Sequence, residues 1–367
     1  MTGRNRTTIY NIAKLAGTSA STVSYALNGT WKERRIASST VARIRAIADA
    51  QDYRPNLQAR GLKRAVSGLS GMILPEHDTR FFSDLSQAFA VEVRARGDCP
   101  AIVLSGRDPE AQAESVRSLL GYNIDSLVIA GATEPEHLDE MCRAAGLAHV
   151  FVDHPCPGAA SVITDSAAGA AELTRAMLAR LEGAHAPAVH FVGGTPGLPS
   201  TEARRAGFGE ALDAAGLLRR PDQIDCCGYD AGRAAASVRA LRARLGGLPD
   251  ALFVNSILCF EGVAHVLATL PEAETARLVL GCFDYDPFVA LMRFPVIMVR
   301  QRAAEMIRLC FAALDGAEPD PTVHLVRPEL MLGRETLPAP GPDAPPGAAF
   351  RNPGADRLRI PGLRISS

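Results

Sequence analysis

At 367 residues, with 47% apolar and 22% charged residues, the chain has a soluble globular composition but exceeds what one compact core usually supports, so two or three folding units are expected. No uninterrupted apolar run approaches the ~20 residues of a membrane helix. The opening MTGRNRTTIYNIAKLAG breaks its apolar positions with Asn11 and Lys14, unlike a secretory signal, which points to a cytoplasmic protein. The net charge of −1 is unevenly spread: residues 1–64 hold 12 Lys and Arg against 3 Asp and Glu, a net of +9, which leaves −10 for the rest. All three lysines, Lys14, Lys32 and Lys63, lie in that segment. A short basic module on an acidic body suits contact with a polyanion, because neutralising phosphates releases counterions.

In chain order, Ile9, Ile12, Ala13 and Ala16 have helical spacing, with Thr8 placed to cap the helix and Gly17 to end it. Ser19 offers a second N-cap before Val23, Ala26 and Leu27, and Asn28-Gly29 ends that run. Two short helices joined by a turn of about three residues predict a helix-turn-helix. A third helix fits Ser39–Gln51, closed by Arg54-Pro55. Residues 56–64 (NLQARGLKR) form at most a marginal helix that needs a partner or a groove to order it.

Beyond Ser67 short apolar runs alternate with helical stretches. Strands are expected at Gly71–Leu74, Ala101–Leu104, Ser126–Ile129, Val150–Asp153, Ala188–Val192, Ala251–Val254, Leu278–Phe283 and Val296–Val299. Helices are expected between most of them, including Phe82–Arg96, Glu110–Leu120, Ala167–Leu181, Thr201–Ala215 and Ala231–Leu245. This α/β alternation predicts parallel sheets with helices on both faces, arranged as two lobes around a cleft, with ligands beyond the carboxyl ends of the strands. The last thirty residues are too rich in Pro and Gly to pack. The expected organisation is therefore a helix-turn-helix domain over 1–55, a hinge helix or linker over 56–67, a two-lobed ligand-binding and dimerisation domain over 68–337, and a disordered tail over 338–367.

Catalysis and metal binding find no positive signal. Gly193-Gly194 and Gly197 follow a strand but lack a Walker lysine or a dinucleotide fingerprint, and there is no GxSxG elbow. Glu76-His77-Asp78 and the pair His149 and His154 match no zinc spacing. The eight cysteines (Cys99, Cys142, Cys156, Cys226, Cys227, Cys259, Cys282 and Cys310) form no CxxC pair and are expected as buried thiols of the core. No cofactor, no metal and no enzymatic activity are expected.

The run TTIYNIAKLAGTSASTVSYALNG, with the later YRPNLQARGLKR, closely resembles the signature of the lactose-repressor (LacI) family of bacterial regulators. The resemblance continues through LSGMILP, VGGTPGLPSTEARRAGF, DALFVNSILCFEGV and LVLGCFDYDPFVALMRFPVIMVRQ, as far as Arg334. The basic SYALNGTWKERRI segment looks most like the fructose- and sucrose-responsive repressors. The resemblance implies a periplasmic-binding-protein-like body behind an all-α head. It also implies a homodimer whose heads bind a pseudo-palindromic operator in double-stranded DNA, under control of a sugar or sugar-phosphate effector that changes lobe closure and head spacing.

Carried onto this chain, Ala20, Ser21 and Tyr25 face base edges in the major groove, while Ser19 and Thr22 hold phosphates. Thr8 and Asn28 join them at the helix ends, and Lys32, Arg34 and Arg35 contact phosphates from the loop. Leu62 matches the hinge leucine that wedges into the minor groove, with Asn56 and Arg60 beside the backbone. Ser21 and Tyr25 have the alternative roles of spacer and packing residue, and Leu62 that of a core leucine. Asp153, His154, Arg204, Asn255, Asp284 and Gln301 match effector-pocket positions. His154 stands where fructose-type relatives carry an arginine, and Tyr285 replaces a frequent second Asp. A periplasmic-type sugar-binding protein without DNA binding and an enzyme on a doubly wound scaffold are the rival readings.

Overall fold

A computed structural model describes residues 7–53, 67–77, 79–181, 186–316 and 322–332. The expectations for the hinge and for the tail lie outside the described residues. The described chain forms two compact units: one comprises the chain up to Thr164 with Arg302–Val326, the other Asp165–Gln301 with the chain from Arg327.

The N-terminal segment holds α1 (Ile9–Leu15), α2 (Ala20–Leu27) and α3 (Ser38–Ala50). Thr8 and Asn11 cap α1 reciprocally: the Asn11 N–H donates to Thr8 Oγ1 at 3.3 Å and the Thr8 N–H to Asn11 Oδ1 at 2.8 Å. Gly17, at φ +62°, turns the chain towards Ser19, whose Oγ accepts the Thr22 N–H at 3.1 Å and starts α2. The third helix begins at Ser38 behind Ala37, which makes no side-chain cap. Ile12, Val23, Ala26 and Ile44 are fully buried between the three helices, with Trp31, Ile36 and Tyr53 packed against them.

The first unit carries a six-stranded sheet of β1 (Leu69–Leu74), β2 (Cys99–Leu104), β3 (Ser126–Ala130), β4 (Ala148–Val152), β5 (Ser161–Thr164) and β11 (Val323–Val326). Its order is β11-β5-β4-β3-β1-β2, all pairs parallel. Alternate residues point to opposite faces. Met72, Leu74, Val128 and Val150 meet α4 (Arg80–Ala95) and α12 (Ala303–Leu314) through Leu85, Phe89, Met306 and Phe311. Ile73, Leu127, Ile129 and Phe151 meet α5 (Pro109–Gly121) and α6 (Pro135–Ala144) through Val116, Leu119 and Leu138. Burying each such side chain contributes roughly 1.5–3 kcal/mol.

The second unit repeats the plan with β6 (Val189–Val192), β7 (Ile224–Asp225), β8 (Ala251–Val254), β9 (Val279–Phe283), β10 (Val296–Arg300) and β12 (Glu329–Leu332), in the order β12-β10-β9-β8-β6-β7. Its edge departs from the all-parallel expectation, because β12 runs antiparallel to β10. Helices α7 (Ser166–Leu178) and α8 (Pro199–Ala214) cover one face; α9 (Ala231–Leu245) and α10 (Ile257–Ala268) cover the other, with the short α11 (Glu272–Thr275) following α10. Helices α7 and α8 cross at Gly207, where a Cβ would come within 2.1 Å of the Ala167 carbonyl oxygen.

The cysteines divide differently from expectation. Cys142, Cys156, Cys259, Cys282 and Cys310 are buried, but Cys226 and Cys227 are half-buried and Cys99, the first residue of edge strand β2, is exposed. Burial pushes the Cys142 thiol up to about 12, so it stays protonated at neutral pH. No helix among the described residues is long and apolar enough to cross a membrane.

Candidate functional site

Two groups of side chains stand out, one on the helical segment and one at strand ends. On the helical segment Val23 and Ala26 turn inward, which leaves Ser21 exposed and Tyr25 half-buried on the outer side of α2. The Ser19 and Thr22 hydroxyls lie 2.9 Å apart at its N-terminus, where the helix dipole favours an anion. Asn28 ends the helix, and its Nδ2 donates to Ser24 Oγ at 3.2 Å. The following loop is closed by N–H donation from Ile36 to the Trp31 carbonyl at 3.0 Å, which exposes Lys32, Arg34 and Arg35 on one turn. The Arg34 guanidinium lies 4.9 Å from the Tyr25 ring centre, so the basic loop and α2 present one surface. The structure thus brings Tyr25 and Arg34 together and leaves Ser21 exposed on the same helix, whereas Ala20 packs against the three-helix core. Thr8 caps the neighbouring helix, and Asn56, Arg60 and Leu62 lie outside the described residues.

In the second unit, polar groups gather at the carboxyl ends of β8, β9 and β10. Arg204, on the first turns of α8 and only 4% exposed, donates from Nη1 to the Asn255 carbonyl at 2.7 Å. Its guanidinium also stacks 3.8 Å from the Phe283 ring centre. Asp284 follows β9 in the left-handed region, at φ +81°, and its Oδ1 accepts from Gln301 Nε2 at 2.6 Å. Asn255 is fully buried, yet neither atom of its side-chain amide has a hydrogen-bond partner; Arg204 Nε is likewise buried and unpartnered. Each such group carries a desolvation penalty of about 1–3 kcal/mol, which a polar ligand would relieve. Gly193 and Gly194 make the close approach possible. Both have positive φ, and a Cβ on Gly194 would come within 2.8 Å of Asn255 Nδ2 and Thr201 Oγ1.

The first unit has a matching position. Asp153 follows β4 at φ +72°, held by N–H donation to the Val162 carbonyl at 3.1 Å. A left-handed aspartate directly after a strand therefore recurs in both units, a backbone conformation uncommon outside Gly and Asn or Asp and characteristic of functional sites. His154 is half-buried; burial lowers its pKa, with Arg107 adding to the effect and Glu136 opposing it. Arg107 is paired with Glu76. His149, by contrast, is a structural residue, its ring bonded to Asp139 Oδ1 at 2.8 Å and to the Leu147 carbonyl at 2.9 Å.

Sequence reading missed several contributors. Thr201 is fully buried and bonded to the Tyr229 hydroxyl at 3.1 Å, and Phe283 supports Arg204. Thr201 could have been found from its place three residues before Arg204 on the helix; Tyr229 lies in a loop with no sequence signal.

A compact helix-turn-helix, followed in one chain by two helix-flanked α/β units with polar groups at strand ends, defines a ligand-responsive regulator class. The chain belongs to the LacI family: residues 8–56 match the bacterial regulatory proteins of the lacI family, and residues 67–256 match the periplasmic binding proteins and sugar-binding domain of that family. It is similar to the sucrose operon repressor of Klebsiella pneumoniae, 30% identical over 89% of this chain and 98% of that protein. It is also 40% identical to the ribitol operon repressor of Klebsiella aerogenes, over 51% of this chain and 70% of that protein. Among solved structures it resembles the Cra transcriptional dual regulator of Pseudomonas putida in complex with fructose 1-phosphate (25% identity, TM-score 0.64, 72% of this chain and 98% of that one).

Proposed function

We propose that this protein is a cytoplasmic, non-enzymatic transcription regulator, acting as a repressor, that binds a pseudo-palindromic operator as a homodimer and responds to a sugar, sugar alcohol or sugar-phosphate effector. The observation that carries the reading is the joint surface of α2 and the basic loop, where Ser21 and Tyr25 are flanked by Lys32, Arg34 and Arg35. Residues 1–55 read DNA and 56–67 act as a hinge, in which Asn56 and Arg60 lie along the backbone and Leu62 is the minor-groove wedge. Residues 68–337 bind effector and dimerise, and 338–367 form a tail.

Asn255, Arg204, Asp284 and Gln301 in one unit, and Asp153 and His154 in the other, are the effector ligands. The unpartnered Asn255 amide and the left-handed aspartates support this assignment. Dimerisation is supported by the edge strand β2, which leaves Leu104 55% exposed and Ile102 37% exposed on the same face. A periplasmic-type sugar-binding protein would have no use for the basic helical segment.

The experiment is a thermal-shift panel with sucrose, ribitol and fructose 1-phosphate. A cognate effector at ~100 times its Kd adds roughly 2.7 kcal/mol of stability. By linkage it also changes DNA affinity, since the coupling between two sites is reciprocal. A ligand that raises the melting temperature and leaves DNA affinity unchanged would contradict the regulatory reading.

A further inference from the structure

A pocket beside α8 takes no part in the group around Arg204. Thr201 and Arg204 occupy the face of this helix that meets Asn255 and Phe283, whereas Glu202, Arg205 and Gly209, spaced i, i+3 and i+7, share a neighbouring face. Together with Arg219, Arg220 and Gln223 they enclose a pocket of about 240 Å³ over an apolar floor of Phe208, Leu212 and Ile224. Its polar lining consists of the guanidinium groups of Arg205, Arg219 and Arg220, the Glu202 carboxylate and the Gln223 amide. Within the lining three guanidinium groups face one carboxylate, and just outside it Asp213 pairs with Arg219 and Asp222 with Arg220, the latter at 3.5 Å.

The guanidinium groups are held in place. Arg219 is clamped by Asp213, which is outside the lining, with Nε donating to Oδ1 at 2.7 Å and Nη2 to the other oxygen. Its head lies directly on Gly209, where a Cβ would come within 2.7 Å of Nη1 and 2.9 Å of Cζ. A mid-helix glycine is less favourable than alanine by roughly 1 kcal/mol, so the room it leaves for Arg219 is a specific feature of the sequence. The Arg220 N–H donates to Gln223 Oε1 at 2.7 Å, which fixes that loop. Arg205 Nη1 bonds both Glu202 oxygens, at 2.9 and 3.0 Å, and its buried Nε has no hydrogen-bond partner.

We propose that this pocket is a second ligand site, separate from the effector group, for a small dianion such as a phosphate monoester or a short dicarboxylate, held by Arg205 and Arg219. Planar guanidinium forks pair in bidentate fashion with phosphate and carboxylate alike, and Arg205 Nε is a buried donor without a hydrogen-bond partner. The volume lies below the ~300–1,000 Å³ typical of pockets for larger organic ligands, which favours a compact anion.

The test is calorimetric titration of the full chain with inorganic phosphate and, separately, succinate. Saturable binding of at least one is expected, with phosphate preferred if the natural ligand is a phosphate ester and succinate if it is a dicarboxylate. Arg219→Gln should weaken that binding by about tenfold or more, the equivalent of ~1.4 kcal/mol. Gly209→Ala removes no charge and improves helix propensity, so it keeps the fold; by displacing Arg219 it should weaken binding by about threefold or more. Unchanged affinity in both variants, or no saturable binding of either anion up to ~20 mM, would overturn the proposal, since a site weaker than millimolar yields under ~4 kcal/mol. DNA binding is read in a separate titration, so the regulator reading stands or falls independently.

Discussion

The guanidinium of Arg34 lies 4.9 Å from the ring centre of Tyr25, joining the basic loop to the outer face of α2. An exposed cation–π pair contributes about 0.5–1 kcal/mol. Arg34→Ala and Tyr25→Ala should therefore be non-additive for DNA affinity, with a coupling of that size in a double-mutant cycle. Arg34→Ala alone should also lower the salt slope of binding by about 1, because one phosphate contact is lost. Strict additivity, with an unchanged salt slope, would show that the two side chains act apart from each other and from DNA.

Ser19 caps α2 through Thr22, so Ser19→Ala should destabilise the helical segment by about 1 kcal/mol. Thermal melts of the full chain would show this as an earlier loss of helical signal. Ser19→Asp, which can still cap but repels phosphate, should keep the melt and weaken DNA binding. Equal DNA affinity for Ser19→Asp and the parent protein would remove Ser19 from the interface.

Asn255 is buried with an unpartnered amide, which the proposed effector role accounts for as a group awaiting a ligand. Asn255→Ala should lower stability by less than the ~2–5 kcal/mol of a large apolar truncation. Effector affinity should fall by about tenfold or more, because a site built for a polar group discriminates strongly when that group is lost. Calorimetry with the cognate effector checks the second effect and denaturant melts the first; a large stability loss with retained affinity would reverse the assignment.

Acid should destabilise the protein through the buried His190 and the half-buried His154. Burial lowers the pKa of His190, with Arg244 and Arg220 adding to the effect and Asp222 opposing it; burial likewise lowers His154. Below the ordinary histidine value of 6.5, unfolded chains take up protons that the folded protein refuses, so stability falls as the pH drops from 6.5 towards the lowered values. Above 6.5 the two states bind protons equally and this contribution is flat. Denaturant melts between pH 7.5 and 5 should show the decline, with a shallower slope in His190→Leu; an unchanged slope would count against it.

Much of this was legible because the local signals are strong. Thr8, Gly17, Ser19 and Asn28 mark helix ends with their own side-chain or backbone chemistry, and the strands read as apolar runs bounded by helices. Four strands escaped notice for physical reasons. β7 has only two residues, β5 lies between a Pro- and Gly-containing loop and α7, and β11 and β12 are short segments separated by Arg327-Pro328. Helix α10 (ILCFEGVAHVLA) is apolar on most sides and lacks a clear amphipathic stripe. The antiparallel β12 and the passage between units at Thr164, Gln301 and Val326 are set by tertiary packing that no local pattern encodes. The resemblance supplied positions such as Arg204 and Asn255; their stacking on Phe283 and their unpartnered atoms emerged only from the packed structure.

The most direct test of the central claim is a fluorescence-anisotropy titration of the purified full chain, at physiological salt, against DNA from its own upstream region and against a shuffled sequence of equal length. The account predicts binding at least ~10³-fold tighter to the upstream DNA. Identical curves for the two DNAs would contradict it.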